Sequence, residues 1–129
     1  MQKVTPFLWF DGKLEEAVRF YTTVFSNSHV ESLSPMNAKF VIDGQEFMAL
    51  NGGPQFKFNE AVSFFIRCET QDEVDYFWHR LTEDGGIESR CGWLKDKFGL
   101  SWQVIPNVLG QYLGDPDRAK ANRVMQRRI

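Results

Sequence analysis

Bulky apolar residues crowd positions 3–10, ending in Phe7-Leu8-Trp9-Phe10, and Asp11-Gly12 then breaks the run. An apolar run closed by a turn signal reads as a strand. From there Leu14, Ala17, Val18, Tyr21, Val24 and Phe25 recur at helical spacing, which puts one apolar stripe along an amphipathic helix. After the polar Ser26-Asn27-Ser28 come three strand-like runs, 29–33, Ala38–Ile42 and Glu46–Leu50. Asp43-Gly44, between the last two, is a residue pair favoured in type I′ hairpin turns. The first half therefore predicts βαβββ, and Asn51-Gly52-Gly53-Pro54, with the stretch to Asn59, reads as a link.

The same order then returns. Ala61–Cys68 predicts a strand, and Thr70 followed three residues later by Glu73 is a capping box that opens a helix. Its stripe is Val74, Phe77, Trp78 and Leu81, each at the same interval after Leu14, Ala17, Val18 and Tyr21. A repeated stripe in the same register marks a duplicated module. Asp84-Gly85-Gly86 stops this helix, after which 87–94 and 100–105 read as strands around the charged turn Lys95-Asp96-Lys97-Phe98-Gly99. Asp115-Pro116 supplies an N-cap and a first-turn proline for a terminal helix over about 116–127. The expected fold class is α+β: a single domain, 1–129, of two tandem βαβββ modules (about 1–52 and 60–106) with a C-terminal helical extension, 107–129.

At 129 residues, with 43% hydrophobic and 25% charged positions, the chain has the composition of a folded globular domain. A net charge of −2 supplies no general field for a polyanion, so nucleic acid is not expected as a partner. No apolar run approaches the roughly 18–20 residues of a membrane span, so no membrane association is expected. The first residues lack an apolar stretch leading to small cleavage residues, and a cytoplasmic location is expected. Cys68 and Cys91, isolated from one another and from other ligands, fit reduced thiols. His29 and His79 stand alone on different elements and read as surface residues. Neither cysteine has a sequence neighbour that would activate it as a nucleophile.

Two tandem βαβββ units resemble the vicinal oxygen chelate superfamily, which includes glyoxalase I, extradiol dioxygenases and antibiotic-binding resistance proteins. Within it, Phe10-Asp11-Gly12, Arg19-Phe20-Tyr21, Asp43-Gly44-Gln45-Glu46-Phe47-Met48-Ala49-Leu50 and the string from Gly92-Trp93-Leu94-Lys95-Asp96 to Phe98-Gly99-Leu100-Ser101-Trp102-Gln103 are similar to the PhnB-like subgroup, commonly labelled 3-demethylubiquinone-9 3-methyltransferase. The resemblance implies a cupped mixed sheet with helices on its convex side, a homodimer, and a longer, Gly-rich link before the Met36–Phe40 strand than the short Ser34-Pro35 found here. Methyl transfer from a nucleotide cofactor would call for a Gly-rich turn between a parallel strand and a helix. Gly52-Gly53 and Gly85-Gly86 read instead as a turn and a helix end, so no cofactor is expected.

The resemblance also implies one divalent ion held by His and Glu side chains, two from each module. Aligning the modules puts the four positions at Thr5, Ala49, Ser63 and Gln103, none of which is a strong ligand, so no metal is expected. Strand alternation then assigns Thr5, Phe7, Trp9, Phe47, Asn51, Ser63, Phe65, Arg67 and Gln103 to the open face, with Leu8, Met48, Phe64, Trp102 and Val104 under the helices. Trp9, Phe7, Phe47 and Phe65 are candidates for stacking on a small, partly aromatic ligand, and Asn51, Ser63, Arg67 and Gln103 for orienting its polar atoms. Trp93 and Lys95-Asp96-Lys97 are expected at the lip or as solvated turn residues. The leading expectation is a metal-independent small-molecule-binding protein whose ligand lies in an aromatic cup at a dimer cleft. The alternatives are an enzyme of unknown reaction on a small molecule, without an ion, and a structural dimer with a filled cup.

Overall fold

The helical stripes are buried, except for the half-buried Phe77 of the second, and the Asp43-Gly44 turn closes. The computed structural model describes residues 2–107, in the order β1 (Phe7–Phe10), α1 (Leu14–Val24), β2 (His29–Leu33), β3 (Asn37–Ile42), β4 (Gln45–Asn51), β5 (Ser63–Cys68), α2 (Gln71–Thr82), β6 (Ile87–Glu88), β7 (Trp93–Lys95) and β8 (Ser101–Pro106). The helix expected over 116–127 lies outside the described residues. The chain divides into two compact units, one ending at Phe58 and the other beginning at Asn59. No helix among the described residues is long and apolar enough to cross a membrane.

In the first unit the strands form one mixed sheet in the order β1-β4-β3-β2, with β1 parallel to β4 and the other pairs antiparallel. Asp43 and Gly44 both have positive φ, as a two-residue type I′ turn requires, and they set Ile42 opposite Gln45. That register aligns Phe40 with Phe47 and Ala38 with Ala49. All four are buried, together with Leu8 and Phe10, on the face covered by α1, whose Leu14, Ala17, Val18, Tyr21 and Val24 point inward. Burial of each large side chain of this kind is worth roughly 1.5–3 kcal/mol. The short link at Ser34-Pro35 is a closed turn: Ser34 N–H donates to Asn37 O (2.9 Å), and its hydroxyl accepts from Asn37 N–H (3.1 Å).

The second unit repeats the order as β5-β8-β7-β6, again with its outer β5 parallel to β8. Cys68, Trp102, Val104 and Leu94 are buried under Val74, Trp78 and Leu81 of α2. The capping box forms in a shifted version: Thr70 Oγ1 accepts from Glu73 N–H (3.1 Å), while the Glu73 carboxylate reaches the N–H of Glu69, one residue before the cap. The strand expected over 87–94 is corrected. A turn at 89–92, with Cys91 and Gly92 at positive φ, splits it into β6 and β7, which pair with each other.

Candidate functional site

Each sheet has one face under its helix and one face turned away, and alternation along the strands decides which side chains occupy the second. In the first unit β1 behaves as expected: Leu8 and Phe10 go under α1, while Phe7 is 53% exposed and Trp9 half-buried on the opposite face. For β4 the expectation is corrected by one residue. Phe47 and Ala49 lie under α1, with the Phe47 ring stacked on Phe40 at 5.6 Å, so Phe47 is not on the face that carries Phe7 and Trp9. Met48 and Leu50 take that face, because Met48 is the partner of Phe7, and Leu50 of Trp9. A slip of one residue exchanges every side chain between faces.

The remaining candidates of this unit are engaged locally. Trp9 Nε1–H donates to Gly53 O (2.9 Å), and Phe56 meets its ring edge-on at 4.9 Å. Gly52 lies so close that a Cβ there would sit 2.2 Å from Trp9 Cζ2. The link after β4 thus folds back over Trp9 and covers it. Asn51 is held at both ends of its amide: Oδ1 accepts from Leu14 N–H (3.1 Å) and Nδ2 donates to Pro35 O (3.0 Å). It serves as a remote cap for α1, whose own N-cap residue, Lys13, makes no side-chain bond. Thr5 is half-buried just ahead of β1. Farther across the sheet, Lys39 Nζ lies 3.4 Å from a Glu46 oxygen and 3.8 Å from Glu31, and His29 lies 3.7 Å from Glu31.

In the second unit the alternation of sides matches the expectation, although Ser101 and Ile105, expected on the open face, are buried. Ser63, Phe65 and Arg67 on β5 share a face with Ser101, Gln103 and Ile105 on β8, and Phe64 lies instead beside Trp102 (5.5 Å) on the α2 side. The register makes Phe65, Gln103 and Trp93 one row across three strands. Gln103 Nε2 donates to Ser63 Oγ at 3.0 Å, which joins the two positions where the superfamily resemblance places metal ligands in this module. Ser101, the strand partner of Ser63, is wholly buried, and its hydroxyl has no hydrogen-bond partner among the described residues. Such an unsatisfied group costs about 1–3 kcal/mol.

The equivalent pair in the first unit follows from the same geometry. Ser63 stands two residues before Phe65, the partner of Gln103; Thr5 stands two residues before Phe7, the partner of Met48. Met48, not Ala49, is therefore the counterpart of Gln103. Among the described residues no group of three or more His, Cys, Asp or Glu side chains comes together as a metal site.

Several charges on the second unit are paired. Lys95 Nζ lies 3.1 Å from Glu60, and that hydrogen bond and charge hold the Glu60 carboxyl below the usual range. Lys97 lies 3.9 Å from Asp84. Arg67 is exposed and makes no ion pair or hydrogen bond among the described residues. Burial, with the nearby Glu73 and Glu69 carboxylates, pushes the Cys68 thiol up to about 12, which leaves it protonated and unreactive at neutral pH.

Asp96 overturns the reading of 95–97 as solvated turn residues. It is 2% exposed, its Oδ1 accepts from the N–H groups of Phe98 (2.9 Å) and Leu100 (3.1 Å), and its Oδ2 accepts from Trp102 Nε1–H (2.9 Å). This carboxylate ties the β7–β8 turn to the core and fixes β8, the strand that carries Gln103. The signal was present: an Asp two residues before a free N–H, next to Gly99, is the pattern of an Asx turn.

Comparisons with known proteins agree with this geometry. The family profile described as 3-demethylubiquinone-9 3-methyltransferase matches residues 2–105. A PhnB protein from Bacillus cereus with that same description is 36% identical, over 81% of this chain and 99% of its own, with a TM-score of 0.74. A glyoxalase-related enzyme from Fulvimarina pelagi is 18% identical, over 84% of this chain and 91% of its own (TM-score 0.62). The fosfomycin resistance protein FosX from Mesorhizobium loti is 13% identical, over 88% and 99% (TM-score 0.62); these two share the fold. No match was found among functionally curated proteins. With its profile match across both modules and a one-third-identical PhnB structure, the chain belongs to the 3-demethylubiquinone-9 3-methyltransferase-like, or PhnB-like, family of the vicinal oxygen chelate superfamily.

Proposed function

We propose that this chain is a metal-independent small-molecule-binding protein that works as a homodimer, its ligand held on an aromatic sheet face at a dimer cleft. The observation that carries the reading is the Gln103–Ser63 hydrogen bond beside the exposed Phe65 ring. Where an oxygen-chelating enzyme needs imidazole or carboxylate, this chain offers an amide and a hydroxyl in one module, and the Thr5 hydroxyl and Met48 thioether in the other. Neutral oxygen donors and one soft thioether supply neither the charge nor the matched chemistry that holds a divalent transition ion. The superfamily's ion does not fit these residues. An amide that both donates and accepts suits a neutral polar group on a ligand, and an exposed ring beside it supplies apolar contact.

Methyl transfer, the activity in the family's description, finds no nucleotide-binding turn among the described residues. Gly52 is accounted for by Trp9 beneath it, and Gly86 by the Thr82 backbone, 2.5 Å from where its Cβ would be, so one glycine of each pair is there for packing within its own turn. The test is elemental analysis of tag-free protein purified without chelator, with mass spectrometry of whatever small molecule denaturation releases. The expected result is less than stoichiometric metal and a released flat, partly apolar compound. About one transition ion per chain would overturn metal independence. No metal and no released compound, together with no binding in a ligand screen, would favour the structural dimer.

A further inference from the structure

We infer that the open face of the second unit selects small, flat organic acids, with the acid group at Arg67 and a neutral polar group at the opposite end. This inference deepens the binding reading above and rests on it. The face is ordered by polarity along β5. Ser63, Ser101 and Lys95 are strand partners and form the first row, with Ser101 buried and Lys95 paired to Glu60; Phe65, Gln103 and Trp93 form an aromatic row with one amide in its middle; Arg67 and the buried Ile105 form the last row. Neighbouring strands lie about 4.8 Å apart and residues rise about 3.3 Å along a strand, so from Ser63 to Arg67 the face spans roughly 13 Å. That length takes a one- or two-ring molecule lying along the strand.

Charge decides which end takes the acid. Lys95, on this face, is answered by a carboxylate, Glu60 at 3.1 Å. Arg67 has no such partner among the described residues, and next to it on the same face stands Phe65, 56% exposed. A planar guanidinium offers paired N–H donors that match a carboxylate edge-on, and an adjacent apolar surface lowers the water competing for that contact. At the other end Ser63, bonded to Gln103 of the middle row, stands beside the Lys95–Glu60 pair, whose charges offset each other, and its hydroxyl suits a hydroxyl or carbonyl. The face therefore reads cation, ring, neutral polar group, and the complementary ligand reads carboxylate, flat apolar body, hydroxyl.

The test is fluorescence titration of the full chain with 6-hydroxy-2-naphthoate, 2-naphthoate and 2-naphthol. The acids are expected to bind at least about tenfold more tightly than 2-naphthol, the difference that one charge-assisted contact makes. Arg67→Met is expected to abolish that preference by weakening the two acids, Arg67→Lys to keep part of it, and Phe65→Ala to weaken all three. Ser63→Ala is expected to remove the advantage of the hydroxy-acid over 2-naphthoate. If 2-naphthol binds as tightly as the acids, or Arg67→Met keeps the preference, acid selection is overturned while small-molecule binding stands. If none of the three binds at millimolar concentration, both acid selection and the binding role of this face fall.

Discussion

The two units share a strand order and a helix register, yet they treat their open faces differently. In the first, the link after β4 folds back so that Phe56 and the Gly53 carbonyl engage Trp9, and Lys39 is answered by Glu46 and Glu31. In the second, Phe65 and Arg67 are left uncovered beside the Gln103–Ser63 pair. The two frames are equivalent in order and register, and the residues that differ between them cover Trp9 in the first, beside an exposed Phe7, and leave both Phe65 and Arg67 uncovered in the second. The units also differ in what anchors them: a buried carboxylate, Asp96, in the second and an amide, Asn51, in the first.

The sharpest way to break this comparison is at Asp96. Asp96→Ala leaves three N–H donors without their acceptor, two from the backbone and one from Trp102, and is expected to cost about 3–5 kcal/mol. Urea denaturation gives the loss, and hydrogen exchange should place it in β7, β8 and α2, with the first unit's amides unchanged. Next comes Gly52→Ala, whose new methyl would collide with the Trp9 ring; displacement of that ring is expected to cost about 1–3 kcal/mol, with a shifted tryptophan emission. Loss confined to the first unit would sharpen the contrast, and an unshifted emission would refute the packing assigned to Trp9.

Smaller effects separate the two helix caps. Thr70→Ala removes one local cap bond and is expected to cost about 1 kcal/mol, whereas Asn51→Ala removes a cap and a second bond to Pro35 and is expected to cost about 2 kcal/mol. Equal losses would mean that the remote amide adds nothing beyond an ordinary cap. The last contrast is alkaline. Because the folded Cys68 thiol titrates near 12 and an unfolded thiol near 9, folding keeps its proton as pH rises, so stability is lost progressively from pH 9 toward 12. Thermal midpoints should fall more steeply over that range in the parent than in Cys68→Ala. In native protein a thiol reagent should label the half-buried Cys91 and spare Cys68 until denaturant is added.

The order of elements was legible because helix and strand leave different periods in a sequence, and the stripes of α1 and α2 are clean. The open face of β5 and β8 was legible for a related reason, since polar Ser63, Arg67 and Gln103 alternate with apolar neighbours. The face of β4 was not, because Phe47-Met48-Ala49-Leu50 is apolar at every position and has no phase of its own. Its phase came from elsewhere: the two-residue turn at Asp43-Gly44 sets Lys39 opposite Met48, and a lysine seeks the side away from the core. Asp96 was misjudged because a charge between two lysines resembles a solvated turn; its burial depends on Trp102, whose indole arrives only when β8 pairs. Asn51 escaped notice as a cap because its helix lies far upstream in the chain.

That distance also bears on the order of events during folding. The Thr70 cap closes over three residues, so α2 carries its own start signal and can form as soon as its stretch of chain is available. The Asn51 bond to Leu14 spans 37 residues, and no side chain nearer in sequence does its work at Lys13. The first helix is completed only when the last strand of its own unit has docked, which ties helix capping to sheet closure in that half.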